Sequence, residues 1–167
     1  RDRLSLAMQQ RVQGAVPANP DYEYRGDFVG DYRRRQIECA VALYSKMGIT
    51  RDDRPGRQRA LMRNYEFFDA PHMAWLGMHR DFGATVAIDV GIYAQTLMLA
   101  MMAHGVRSCA MGTMRDYPDL VREAFEVEGD VRILFGIAFG YEDPNLPANL
   151  TRTTREHYST NVCIREQ

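Results

Sequence analysis

Hydrophobic positions along this chain alternate between two spacings, and the changes of spacing mark its elements. Residues 1–13 carry Leu4, Met8 and Val12 at helical intervals, with Gly14 as a stop. A loop rich in proline and glycine fills 15–30. Asp31 is the expected cap of a helix over 32–47, with Ile37, Val41 and Tyr44 on one face and Gly48 closing it. Asp52 or Asp53, ahead of Pro55, opens a further helix to about residue 65. The short apolar run 72–78 reads as a buried strand. Over 85–104, Val86, Val90, Tyr93, Leu97 and Met101 keep a helical step with apolar neighbours nearly all round. A helix of that kind is either buried or shared between a core and a subunit interface. Segment 107–111 is short and extended, and 118–125 is a short helix. In 131–139, Val131, Ile133, Phe135, Ile137 and Phe139 alternate with small or apolar residues, which places this strand in the middle of a sheet. Beyond Tyr141 the periodicity fades, and 144–167 reads as an extended arm.

This order of elements predicts an α+β layer fold in a single domain over 1–167, although two or three strands are few for 167 residues. Twenty-one basic against 22 acidic side chains leave a net charge of -1, which gives no support to a nucleic-acid surface. The richest apolar run, Ile92–Ala103, ends at His104 and Gly105, short of an uncharged membrane span. Three scattered cysteines and four dispersed histidines make neither a disulfide framework nor a metal site, and point to a reducing, cytoplasmic setting. No phosphate loop, dinucleotide fingerprint, nucleophile elbow or zinc-protease signature occurs. With no catalytic side-chain constellation to name, any chemistry is expected to belong to a bound cofactor.

Three segments stand out. Residues 64–71, N-Y-E-F-F-D-A-P, form either a hydrophobic plug or a shaped turn before a strand. Residues 108–114, S-C-A-M-G-T-M, end a strand at a glycine, where a ligand can approach the backbone closely or where the chain simply turns. In 149–155, N-L-T-R-T-T-R, Arg152 and Arg155 are either solvated arginines or forks suited to phosphate.

Together with D-V-G-I-Y-A-Q-T-L-M-L-A at 89–100, H-G-V-R-S-C-A-M-G at 104–112, Y-P-D-L-V-R-E at 117–123 and G-I-A-F-G-Y-E-D-P at 136–144, these segments give the chain a clear likeness. It resembles the flavin-dependent nitroreductase family, and L-Y-S-K-M-G-I-T-R-D-D-R at 43–54 is most similar to the branch acting on nitrobenzoates. The resemblance implies a sandwich with a central, mostly antiparallel sheet in an intertwined homodimer. The 85–104 helix would form the dimer core, 31–60 a helical lid, and 144–167 an arm wrapping the partner. It implies FMN as cofactor, NAD(P)H as co-substrate, and ping-pong hydride transfer to a small aromatic nitro compound or quinone. By position, Ala110, Met111, Gly112 and Thr113 match the backbone lying against the flavin ring, while Arg155, and beside it Arg152, match residues reaching the FMN phosphate. Met111 stands where the branch tends to carry glutamine, and a methionine cannot donate a hydrogen bond.

Family members open with an Arg-x-Ser-x-Arg-like phosphate segment and a first strand. Neither is seen ahead of Arg1, so the domain is expected to be incomplete at its N-terminus. The same departure leaves two alternatives in view. One is a dimeric binding module without flavin or catalysis; the other is a relative with reductive dehalogenase-like chemistry.

Overall fold

Three strands, β1 (His72–His79), β2 (Arg107–Met111) and β3 (Val131–Gly140), make one antiparallel sheet in the order β1-β3-β2. The strand with two apolar faces is thus the central one, as its alternation predicts. The computed structural model describes residues 1–23 and 26–165; positions 24–25 of the expected loop and 166–167 of the arm lie outside the described residues. The helices are α1 (Asp2–Gln13), α2 (Gly30–Lys46), α3 (Arg54–Met62), α4 (Ala84–Ala103), α5 (Pro118–Phe125) and the single turn α6 (Tyr158–Asn161).

The chain divides into two compact units. The first comprises residues 1–25 and 54–142, and the second comprises 26–53 and 143–167. The segment read as one lid over 31–60 is therefore divided: α2 belongs to the second unit and α3 to the first.

In the first unit, α1 packs on α5, and the core gathers Leu4, Met8, Phe67, Met114 and Val121 with the sheet residues Met111, Ile133 and Ala138. Strict alternation along β3 does not account for Ile133 and Ala138 sharing one cluster. A bulge does: Leu76 pairs with Phe135 but Gly77 with Ile133, so Leu134 is an extra residue and the facing resets. Gly77 is required there, since a Cβ at that position would stand 2.6 Å from the Arg132 carbonyl oxygen.

The loop after α1 is tied down by one carboxylate. Asp21, with its side chain 3% exposed, accepts from Arg122 Nη1 at 2.7 Å, Arg132 Nη1 at 3.1 Å and the Ile133 amide at 2.7 Å. Burial would raise its pKa, but the two guanidinium groups and the amide outweigh that and hold it below the ordinary 3.8.

Helix α4 lies along β1 and β2, yet Ala94 is its only buried residue. Ile88, Ile92, Leu99 and Met102 fall on helical spacing and are each more than half exposed. The helix is longer than the apolar run seen in the sequence, and by length and composition it could cross a membrane.

In the second unit, α2 packs against the 3-10 turn Pro147–Leu150, and Glu156 of the arm pairs with Arg35 at 2.9 Å and Arg34 at 3.7 Å. Helix α2 begins two residues earlier than expected, at Gly30. Asp31 therefore sits in the first turn, where it favours the helix dipole and pairs with Arg34, and it caps nothing. None of the described residues of this unit is buried.

Candidate functional site: the turn after β2

The edge strand β2 ends where its side chains divide between two environments. Ala110 is exposed, whereas Met111 is 3% exposed and belongs to the core. The side chain of Met111 is thereby committed to packing, and only its backbone is left to face a ligand. Gly112 follows, exposed, with nothing within 4 Å of where its Cβ would stand. Gly112 and Thr113 head a 3-10 turn, Gly112–Arg115, and the first N–H groups of such a turn have no acceptor inside it. Small, open residues at a strand end, with amide donors at the head of a turn, make a surface on which a flat heteroaromatic ring with carbonyl oxygens can lie.

The turn is fixed from beneath. Met114 is 1% exposed and sits on Gly136 in the middle of β3, where an added Cβ would come within 2.2 Å of Met114 Cε and 3.0 Å of its Cβ. Trp75 Nε1–H of β1 donates to the Met114 carbonyl at 3.2 Å. The Tyr65 hydroxyl donates to Asp116 Oδ2 at 2.8 Å, and Ser5 Oγ donates to the Tyr65 carbonyl at 2.8 Å. Burial, and then the neighbouring Asp116, push the Tyr65 hydroxyl far above its ordinary value, so it stays a donor. Burial also raises Asp116, against the opposing pull of Tyr65 and Arg115. Thr113 Oγ1 makes a longer contact, 3.4 Å, with Asn64 Oδ1.

Both Asn64 and Tyr65 come from the segment that reads in sequence as either plug or turn, and it is both. Phe67 is wholly buried and meets the Trp75 ring edge-on at 5.6 Å between centroids. Phe67, Phe68 and Asp69 all take positive φ, at 57°, 53° and 61°. Three consecutive non-glycine residues in that region are strained by about 1–2 kcal/mol each. The buried Phe67 ring and the Arg63–Asp69 ion pair at 2.8 Å hold the turn in place. Nothing in N-Y-E-F-F-D-A-P signals left-handed backbone, because no glycine marks it.

The remaining expected site residues lie in the second unit. Arg152 donates through Nη1 to the Asn149 carbonyl at 2.6 Å and the Thr151 carbonyl at 2.9 Å. Arg155 Nη1 donates to Thr153 Oγ1 at 2.8 Å and the Thr154 carbonyl at 3.0 Å. Both guanidinium groups are exposed, and their polar contacts are with the arm itself. Ala110 to Thr113 are consecutive in the first unit, and the two arginines belong to the second. Among the described residues no cluster of histidine, cysteine and carboxylates could hold a metal ion.

Comparison with known proteins gives a consistent answer. Nitroreductase NfnB of Mycolicibacterium smegmatis is 38% identical over 156 residues, covering 93% of this chain and 66% of that protein. A 4-nitrobenzoate reductase of Nocardioides sp. is 32% identical over 132 residues, covering 78% of this chain and 53% of its own length. The chain therefore spans two thirds or less of these curated relatives. The crystal structure of the FMN-dependent nitroreductase NfnB from Mycobacterium smegmatis in complex with NADPH superposes with a TM-score of 0.92 at 36% identity, covering 99% of this chain and 74% of that one. A sequence profile of the Nitroreductase family matches residues 7–141, and the chain belongs to that family.

Proposed function

We propose that this chain works as an FMN-dependent oxidoreductase, a homodimer that uses NAD(P)H to reduce nitroaromatic compounds or quinones in the reducing interior of the cell. One observation carries the reading: a strand end at which Ala110 and Gly112 are open, with Met111 turned into the core between them, stands on a turn locked into the core. It is seen in a chain similar to an FMN-dependent nitroreductase crystallised with NADPH and to a 4-nitrobenzoate reductase.

When bound, FMN supplies hydride and electron transfer between NAD(P)H and the oxidant. The chain's own residues bind and orient. The backbone of Ala110, Met111, Gly112 and Thr113 would lie against the ring, and the N–H groups at the head of the turn would donate to its polar atoms. Gly112 has no side chain to hold the ring away. Arg155, with Arg152 beside it, presents a planar fork to the phosphate. Glu156, paired with Arg34 and Arg35, ties that arm to α2.

The homodimer reading rests on two unfinished surfaces. One is the apolar stripe of α4. The other is the second unit, which buries none of its described residues and so lacks a core of its own. A second copy suits α4 better than lipid does. One side of α4 already lies on β1 and β2, and Asp89 interrupts it.

The function is tested by following NADPH oxidation with FMN present and 4-nitrobenzoate as oxidant. The reading expects turnover that depends on both; no turnover above the free-flavin background contradicts it. The phosphate assignment is tested by flavin titration. Arg155→Ala is expected to weaken FMN binding by about tenfold and more than Arg152→Ala does, since a charged hydrogen-bonding pair contributes about 1.5–3 kcal/mol. Equal losses, or none, would overturn that assignment.

A further inference from the structure

The ladder of β2 on β3 anchors Ala110 and Met111 and ends there, opposite Ile137 and Gly136; Gly112 and Thr113 lie beyond it and take their position from the groups that grip the turn. Met111 and Met114 fix depth by packing, but apolar packing leaves a short turn free to rotate and slide. Direction comes from hydrogen bonds: the Asn19 amide donates to the Asp116 carbonyl at 2.9 Å, and two more come from side chains outside the turn. Trp75 Nε1–H holds the Met114 carbonyl at 3.2 Å, and the Tyr65 hydroxyl holds Asp116 Oδ2 at 2.8 Å. They grip opposite ends of the segment 114–116 and come from different places, one from β1 and the other from two positions ahead of the left-handed turn. Tyr65 is itself held at its carbonyl by Ser5 of α1. Phe67 packs edge-on against Trp75, so the strained turn sets both donors together.

We propose that Tyr65 and Trp75 are positioning residues that act through Asp116 and the Met114 carbonyl to set where the Ala110–Thr113 backbone meets the flavin ring. The inference rests on the proposed flavin site. Neither side chain is assigned contact with the ring; both act one layer behind it. The strain at Phe67, Phe68 and Asp69 is thereby given a use, because a relaxed right-handed turn would swing Tyr65 relative to Trp75.

The test uses Tyr65→Phe, with Tyr117→Phe as control. Tyr117 also spends a buried-ring hydroxyl on one hydrogen bond, to the Val16 carbonyl at 2.9 Å; it holds the loop whose Asn19 amide meets the Asp116 carbonyl at 2.9 Å, so it reaches the turn only indirectly. Two readouts are taken. The first is hydrogen exchange of the 112–116 amides without flavin: Tyr65→Phe is expected to speed it about tenfold, the loss of one hydrogen bond, and Tyr117→Phe, which acts only through the loop, to speed it clearly less. The second is titration with FMN and with riboflavin, which has the same ring and no phosphate. Tyr65→Phe is expected to weaken both about tenfold, whereas a fault in phosphate binding would spare riboflavin. If Tyr65→Phe does not fold, Trp75→Phe carries the same test, since it removes the donor to the Met114 carbonyl and keeps an aromatic ring between Phe67 and Phe125. The inference is overturned if exchange and both affinities match wild type, or if Tyr117→Phe changes them equally. Wild-type protein that binds neither flavin overturns the proposed site itself, and the exchange data then show separately whether the tether operates.

Discussion

Replacing Ile92 with glutamate is expected to split the proposed dimer while leaving the protomer folded. Ile92 lies mid-way along α4, is 61% exposed in the single chain, and shares a stripe with Ile88, Leu99 and Met102. In a monomer the new carboxylate meets only water. In a symmetric interface two such charges would be buried near each other with no cation at hand, since α4 carries no basic residue. An unpaired buried charge costs about 3–5 kcal/mol, so dissociation should strengthen by roughly a hundredfold or more. Light scattering should report the mass of one chain, with a circular dichroism spectrum like that of wild type. A variant that keeps the dimer mass would remove α4 from the interface. Leu97, the position that the sequence pattern alone would choose for this experiment, is half-buried in the protomer, so a charge there would confound folding with assembly.

Asp21→Asn is expected to lower stability by about 3 kcal/mol at neutral pH, the usual cost of stripping one partner from a buried ionic cluster. The amide keeps the shape but loses the charge that Arg122 and Arg132 converge on, and one of its two polar atoms is a donor facing donors. Because the native carboxyl lies below its ordinary 3.8, its contribution is complete above that value and fades as pH falls through the lower folded one. Urea unfolding at pH 7 should therefore separate wild type from variant clearly, and the gap should close on acidification below about pH 4. A gap independent of pH would show that Asp21 acts through packing alone.

The sequence makes legible whatever repeats along one element. The two-residue period of β3 is enough to place it at the sheet centre, and the nearly all-round apolar surface of α4 marks it as a helix that is buried or covered by a partner. The features that shape the site come instead from pairs far apart in the chain. Asp21 reads as a loop residue, and only folding brings it to Arg122 and Ile133, more than 100 positions away. The bulge at Leu134 is invisible in an alternation that continues through it. The left-handed run at Phe67–Asp69 contradicts local preference, and Phe67 has to be seen in the core before the strain makes sense. Ala110 to Thr113 are legible through resemblance, but the inward turn of Met111 and the grip of Tyr65 and Trp75 on the segment that follows are properties of the packed domain.

Sedimentation velocity of the chain with FMN, followed at 280 nm and again in the visible flavin band, bears most directly on the whole account. It predicts that the flavin absorbance sediments with protein at the mass of two chains, and that the Ile92→Glu variant leaves the flavin behind at the meniscus. Flavin that fails to sediment with a wild-type dimer, or that travels with a single chain, would contradict it.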